Sequence, residues 1–140
     1  MYTYYVKSLT KVVDGDTIDV VLDLGFNLYK AERIRLAGID TPEKRTRDLD
    51  EKKLGLDATS WLIEQLEGAV PSSKLVIRTE KNNQAGKYGR TLGWLWLESD
   101  TDSINDQMIR EGYAWPYDGG KKGKNLEQLR EIRREKGTLQ

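Results

Sequence analysis

The stretch 33-RIRLAGIDTPE-43 is the most informative segment of this chain, because it begins as a buried strand and ends in a charged corner. Apolar residues alternate with two arginines at its start, and Asp40, Pro42 and Glu43 follow in quick succession. Asp and Pro are ordinary turn residues, so a simple turn is one interpretation of the corner. A functional interpretation requires partners elsewhere in the chain for the two carboxylates.

Composition limits the chemistry that such a corner could perform. The chain has 140 residues, 37% hydrophobic and 33% charged, which predicts one globular domain spanning residues 1–140. It contains no cysteine and no histidine, which excludes disulfides, thiolate metal sites and the commonest general base. A hydrolytic site in this chain must therefore rely on carboxylates and a hard metal ion.

The charge distribution bears on the partners of the chain. The net charge is zero, which argues against a protein that coats DNA by electrostatics alone. Acidic residues outnumber basic ones in residues 1–70, and the reverse holds in residues 71–140. The sequence shows no apolar signal core and no run of membrane length. We expect a monomer in the cytoplasm or a phage-encoded intracellular protein, or a secreted one if a leader was removed.

The hydrophobic pattern predicts an α+β fold. Five segments rich in branched and apolar residues predict strands, at Val6–Val13, Ile18–Leu24, Arg33–Ile39, Leu75–Thr79 and Leu92–Leu97. Three segments with helical spacing predict helices, from Leu54 to Leu66, from Asn105 to Glu111 and from about Asn125 onward. This order suggests a small five-stranded Greek-key β-barrel with three packed helices. The four tryptophans are expected in the core.

A candidate site begins in the stretch 12-VVDGDTIDV-20. Alternation along the strand places Asp16 on the same face as Ile18, Val20 and Leu22. A carboxylate at the head of an inward face is costly to bury unless a cation meets it. The alternative is an ordinary hairpin turn, since Asp-Gly is a common turn signal.

Four further residues could complete a site around Asp16. Asp40 adds a second carboxylate, and two carboxylates with a backbone carbonyl suit Ca²⁺. Glu43 lies just beyond and could touch a water molecule, while Arg35 and Arg90 offer planar forks for phosphate oxygens. Either arginine could instead form a surface ion pair. Arg35 and Asp40 have opposite strand parity, so this site requires a bulge or a strand end near Gly38.

Three stretches, VVDGDTIDV, RIRLAGIDTPE and KYGRTLGWLW, in this order closely resemble the staphylococcal nuclease (thermonuclease) family. The resemblance runs from about Lys11 to Gly112 and continues less clearly to the last helix. It implies an OB-fold barrel with three helices. It also implies a Ca²⁺-dependent, sugar-nonspecific nuclease that hydrolyses DNA and RNA and leaves 3′-phosphate ends.

The resemblance also implies roles for individual residues around the metal. Asp16 and Asp40 would be Ca²⁺ ligands together with the Thr41 carbonyl, and Asp14 would lie beside the metal. Glu43 would be the general base or would position the attacking water.

Other residues would contact the nucleic acid. Arg35 and Arg90 would clamp the scissile phosphate, and Lys87 and Tyr88 would contact a terminal phosphate and sugar. A nucleotide-binding tyrosine is expected after the second helix, where three aromatic residues compete for the role, Tyr113, Trp115 and Tyr117, with Tyr117 preferred.

Two features leave alternatives open. Secreted members of the family are strongly basic, whereas this chain is neutral, which predicts weaker nonspecific binding. Two basic clusters could contact a nucleic-acid strand along its backbone or could be solvated loops: Lys44, Arg45 and Arg47, and Lys121, Lys122 and Lys124.

The rival functions are a catalytically inactive nucleic-acid-binding module and a protein that binds single-stranded nucleic acid by aromatic stacking. The presence of all five site side chains favours the enzyme.

Overall fold

Five strands close into a barrel, and three helices surround it, in the computed structural model of residues 2–69, 75–80, 91–120 and 125–140. In chain order the elements are β1 (Thr3–Asp14), β2 (Thr17–Asp23), β3 (Tyr29–Leu36), β4 (Ile39–Asp40), α1 (Leu49–Glu67), β5 (Leu75–Thr79), β6 (Thr91–Leu97), α2 (Ile104–Arg110), β7 (Trp115–Pro116) and α3 (Leu126–Lys136). The barrel order is β1-β2-β3-β6-β5. The predicted α+β barrel with three helices is confirmed.

Barrel closure depends on β1, which pairs with β2 along most of its length and with β5 near its start. Its pairing with β2 shifts register at three places, and such irregularities bend a strand and increase its twist. The β3–β6 pair is parallel, whereas the other barrel pairs are antiparallel. The inward face predicted for β2 is confirmed, since Ile18, Val20 and Leu22 are all buried.

Helix α1 begins five residues before the predicted start. Asp48 caps it, because its side chain accepts hydrogen bonds from the backbone N–H groups of Asp50 and Glu51. Leu49 is exposed and the rest of the first turn is polar, so hydrophobic periodicity could not reveal it. Farther along, Leu54, Ala58, Leu62 and Leu66 form the buried face, and the helix ends before Gly68, as predicted. None of the helices in the described part of the chain is long and apolar enough to cross a membrane.

A small second sheet was not predicted. β4 pairs antiparallel with β7, with Ile39 opposite Pro116 and Asp40 opposite Trp115. Strands of two residues leave no periodic signal, and a proline argues against a strand. The predicted strand Arg33–Ile39 is therefore wrong at both ends, because β3 runs from Tyr29 to Leu36. The required strand end near Gly38 is confirmed.

The tryptophan prediction holds fully for one residue of four. Trp115 is buried, whereas Trp61, Trp94 and Trp96 are only partly buried. On β6, Gly93 and Leu95 are buried and face the barrel interior. Because side chains alternate along a strand, Trp94 and Trp96 lie on the opposite face.

A buried asparagine joins α2 to the barrel near Gly38. Asn105 is fully buried, and its side-chain amide donates to the carbonyls of Ala37 at 2.8 Å and Gly93 at 3.1 Å. Its side-chain oxygen accepts from the N–H of Leu95 at 2.9 Å. The single amide thus bonds three buried backbone groups, of which the Gly93 carbonyl also accepts from the N–H of Ala37 at 2.8 Å.

We expect Asn105→Ala to lower the free energy of unfolding by at least about 2 kcal/mol, because the Ala37 carbonyl and the Leu95 N–H would lose their bond to the amide, and each buried backbone group left without a partner costs about 1–3 kcal/mol. Urea unfolding of the variant and wild type measures this loss. Asp106→Ala is the matched control, since Asp106 is the exposed next residue on the same helix. A loss no larger than that of the control would contradict this role for Asn105.

Candidate active site

A cleft of about 610 Å³ opens between the start of β2, the end of β3 and the segments around β4 and β7. Seven of the residues predicted from sequence line it: Asp14, Asp16, Arg35, Thr41, Glu43, Lys44 and Tyr117. The predicted ligand Asp40 is buried and does not line it. The fold therefore brings residues from separate parts of the chain to one place.

Asp16 lies at the tight turn between β1 and β2. Its carboxylate accepts hydrogen bonds from the hydroxyls of Thr17 at 2.9 Å and Thr41 at 3.2 Å, and Nη2 of Arg35 lies 3.4 Å away. Burial by itself would raise its pKa, but hydrogen bonds, first of all with Asp14, and the charge of Arg35 outweigh burial and lower the pKa. Asp16 therefore stays ionised in the folded protein.

Asp14 faces Asp16 across the same turn. Burial, together with the hydrogen bond and the negative charge of Asp16, raises the pKa of Asp14 to about 6. The two neighbouring carboxyl groups thus carry a single negative charge in mildly acidic solution. The lowered pKa of Asp16 and the raised pKa of Asp14 fit the prediction that Asp16 is a metal ligand and that Asp14 lies beside the metal. The roles themselves stay predictions.

Arg35 is buried and lies between two carboxylates. Its Nη1 donates to the carbonyls of Leu36 at 2.7 Å and Ile39 at 3.0 Å, which flank the turn at Gly38. Its Nη2 lies 3.4 Å from Asp16 and 3.7 Å from Asp40. The turn brings Arg35 and Asp40 together despite their opposite parity, because Gly38 adopts a positive φ of +76° between the two strands.

The corner after β4 carries Glu43 at its tip. Thr41 and Pro42 are buried, whereas Glu43 is exposed on the cleft. The backbone N–H of Glu43 donates to a carboxylate oxygen of Glu51 at 3.0 Å. Next to it, Lys44 donates to the carbonyl of Val13, so this lysine fastens the corner to β1.

The basic cluster that includes Lys44 differs in exposure among its members. Arg45 and Arg47 are exposed, in agreement with a strand-tracking role or a solvated loop. Lys44 lines the cleft and its ammonium group donates one hydrogen bond to a backbone carbonyl of the barrel, and its role in binding a nucleic-acid strand stays a prediction.

The structure separates the three competing aromatic residues. Tyr117 lines the cleft, and its backbone N–H donates to the carbonyl of Gly38 at 2.8 Å. Tyr113 is buried, with its ring stacked on Trp61 at 5.4 Å. Trp115 is buried too, and its Nε1 donates to the carbonyl of Asn125 at 3.0 Å. Tyr117 alone among the three lines the cleft.

Several predicted residues lie outside the described part of the chain. They are Lys87, Tyr88 and Arg90, and the second basic cluster Lys121, Lys122 and Lys124. Their roles stay predictions.

Sequence reasoning missed Trp94 and Glu80 among the residues that line the cleft. Trp94 donates from Nε1 to a carboxylate oxygen of Glu80 at 2.9 Å, and both side chains line the cleft. The indole also packs against Gly38, where a Cβ would lie 2.6 Å from Cη2 of Trp94. The parity of β6 was the available signal, because it directs Trp94 to the face opposite Leu95.

The donor atoms around Arg35 suit a hard cation. Asp16 and Asp40 both lie within 4 Å of the same arginine nitrogen, and all their donor atoms are oxygens. Across residues 2–69, 75–80, 91–120 and 125–140, no three acidic side chains come together as a metal-binding group. Carbonyl, water or substrate oxygens would have to complete the coordination of a cation held by these two carboxylates.

Comparison with known proteins agrees with the geometry. The family described as staphylococcal nuclease homologue matches residues 33–137. Among curated proteins, the chain is 30% identical over 116 residues to Protein ParB of Escherichia coli, covering 78% of this chain and 55% of that protein. It is 32% identical over 110 residues to an uncharacterized endonuclease of Escherichia coli O157:H7, covering 79% of this chain and 60% of that protein.

A third relative carries the name thermonuclease. It comes from Staphylococcus hyicus and is 30% identical over 104 residues, covering 74% of this chain and 54% of that protein. The chain thus spans only about half to three fifths of the length of these relatives.

We expect Gly38→Ala to destabilise the fold and to displace Trp94. A positive φ costs an L-residue about 1–2 kcal/mol, and the new methyl group would also overlap the indole. Gly25→Ala is the matched control, because Gly25 also has a positive φ, of +83°, but a Cβ added there would meet no other atom within 4 Å. Urea unfolding followed by tryptophan fluorescence compares the two. Equal losses would show that the packing of Trp94 on Gly38 contributes nothing.

Proposed function

The chain belongs to the staphylococcal nuclease family, and from this premise we propose that it is a Ca²⁺-dependent nuclease that hydrolyses DNA and RNA to 3′-phosphate ends. One observation carries the proposal: Arg35 lies between Asp16 and Asp40 in the cleft that Glu43 also lines. A phosphodiester needs such a combination, because its negative charge grows as water attacks the phosphorus. In this proposal residues 1–140 form a single domain that carries the whole site.

Arg35 provides the first contact with the phosphate. Its Nη1 is taken by two backbone carbonyls, which leave Nη2 as the nitrogen beside the two carboxylates. A phosphate oxygen would bind this nitrogen, and the buried guanidinium keeps its charge throughout. Arg90 would supply the second guanidinium. It directly precedes Thr91, which pairs with Ile34 beside Arg35 on β3.

Asp16, Asp40 and the Thr41 carbonyl would hold Ca²⁺. When bound, the ion would neutralise charge on the phosphate oxygens. The lowered pKa of Asp16 supports this assignment, since an ionised carboxylate is the form that binds a cation.

Glu43 would accept the proton of the attacking water. The water oxygen would bond to phosphorus, the bond from phosphorus to the 5′ oxygen would break, and the phosphate would stay on the 3′ oxygen. The 5′ oxygen would leave as a hydroxyl after taking up a proton. Exposure of Glu43 on the cleft gives it access to water, and a general base of this kind contributes about a hundred- to ten-thousand-fold in rate.

Three further residues, beyond those that would act on the scissile phosphate, would contact the nucleic acid. Tyr117 would contact a nucleotide, as its place in the cleft supports. Lys87 and Tyr88 would contact a terminal phosphate and sugar. In this proposal the protein acts as a monomer, with DNA and RNA as its substrates and no obligate protein partner.

We expect the wild-type protein to cleave plasmid DNA and RNA in the presence of Ca²⁺ and to cleave neither when a chelator removes the ion.

We expect Asp40→Ala to weaken Ca²⁺ binding, measured by calorimetry, because it removes one of two carboxylates from the site. Asp102→Ala is the matched control, since Asp102 is exposed and paired with Arg110. Unchanged Ca²⁺ affinity in Asp40→Ala would remove Asp40 from the metal site. Binding of nucleic acid without cleavage by the wild type would establish the inactive binding module instead.

We expect Glu43→Gln to lower turnover by at least about a hundred-fold and to leave substrate affinity nearly unchanged, because the amide keeps the size of the side chain but cannot accept the proton. Single-turnover cleavage of a short labelled DNA separates the two quantities. Glu64→Gln, an exposed change on α1, serves as the control. Near-native turnover at saturating substrate would exclude Glu43 as the base.

A further inference from the structure

Helix α1 touches the backbone of the corner that carries Glu43. The contact occurs at Gly55, where a Cβ would lie 2.6 Å from the carbonyl carbon of Glu43 and 2.7 Å from its oxygen. The backbone nitrogen of Lys44 is equally close, at 2.7 Å. Each of these atoms belongs to the backbone, so no side-chain rotation could make room for a methyl group at this position.

Close approach is the reason for a glycine here. Gly55 lies inside α1 without a positive φ, so any residue could adopt its backbone conformation. A glycine inside a helix costs about 1 kcal/mol relative to alanine. The helix bears this cost at the point where the corner packs directly against it.

A second contact from the same helix reaches the same residue. Glu51 lies one turn before Gly55 on the same face of α1, and its carboxylate accepts the 3.0 Å hydrogen bond from the N–H of Glu43. The helix therefore contacts the Glu43 peptide from two positions, while the Glu43 side chain stays exposed on the cleft.

The next turn of α1 contacts the acidic turn on the other side of the cleft. A Cβ at Gly15, between Asp14 and Asp16, would lie 2.9 Å from Cβ of Ala58 and 3.1 Å from Cγ2 of Thr41. One rigid helix thus packs against both the turn that carries Asp16 and the corner that carries Glu43. The separation of these two groups depends on how deeply each segment sits against α1.

We propose that Gly55 and Glu51 are positioning residues, which hold Glu43 at its working distance from Asp16. This inference rests on the proposed nuclease function. An alanine at position 55 would have to push the corner away by about 0.8 Å to restore a contact of 3.4 Å. A displacement of about 1 Å can cost roughly a hundred-fold in rate, because reacting groups must be held in a narrow geometry.

The first experiment measures single-turnover cleavage of a short DNA in Ca²⁺ by Gly55→Ala. We expect turnover to fall by about ten- to a hundred-fold while KM changes by less than about threefold. Gly68→Ala is the matched control, since Gly68 ends the same helix and a Cβ added there would meet no other atom within 4 Å. In a Glu43→Gln background, Gly55→Ala should lower turnover no further, because the group that it positions is already lost.

The second experiment tests Glu51 and remains informative if Gly55→Ala does not fold. Glu51→Ala should lower turnover and accelerate hydrogen exchange of the Glu43 amide, measured by NMR without substrate. Glu51→Gln retains an acceptor oxygen and should restore both properties. Glu64→Ala, which removes an exposed carboxylate from the same helix, should change neither.

The outcomes separate this inference from the proposed function. A wild-type protein that cuts nothing overturns both. Wild-type cleavage with unchanged turnover in Gly55→Ala and Glu51→Ala overturns only the positioning role. Equal losses from Gly55→Ala in the wild-type and Glu43→Gln backgrounds also overturn it, because the loss would then not pass through Glu43.

Discussion

The burial of Arg35 between Asp16 and Asp40 is the interaction on which the site depends. A guanidinium and two carboxylates withdrawn from water are stable only where each charge meets an opposite charge or a hydrogen-bond partner. Here two carbonyls hold one nitrogen, and the carboxylates lie beside the other. The arginine thus keeps the two acidic groups close together, each within 4 Å of the same nitrogen.

The barrel supplies this arrangement through close approaches at glycine. At Gly38 a positive φ reverses the strand parity, so that Arg35 and Asp40 meet, and the indole of Trp94 packs on the turn. At Gly55 the absence of a side chain lets the Glu43 corner rest on α1. These two glycines act for different reasons, one through backbone conformation and the other through space. Neither glycine contributes a functional group, yet both decide where functional groups lie.

Hydrogen bonds from two polar side chains, the buried Asn105 and the partly buried Lys44, keep these close contacts in place. Asn105 bonds the carbonyl of Ala37, the residue before Gly38, and so fastens the turn to α2 and β6. On the other side of the cleft, Lys44 bonds the carbonyl of Val13 and fastens the Glu43 corner to β1. The cleft is therefore bordered by loops whose backbones are tied to regular elements, which suits a site that must hold charged groups at set distances.

Local rules were enough to locate the five barrel strands, though not the ends of β3, and to give the inward face of β2. They also gave the oxygen-only donor set, which follows from a chain without cysteine or histidine. Those features depend on alternation and composition, which each segment carries alone. The β4–β7 pairing and the contact of Gly55 with Glu43 could not be predicted in this way. They depend on how separate elements pack in three dimensions, because a side chain or a glycine gains its role from neighbours that are distant in sequence.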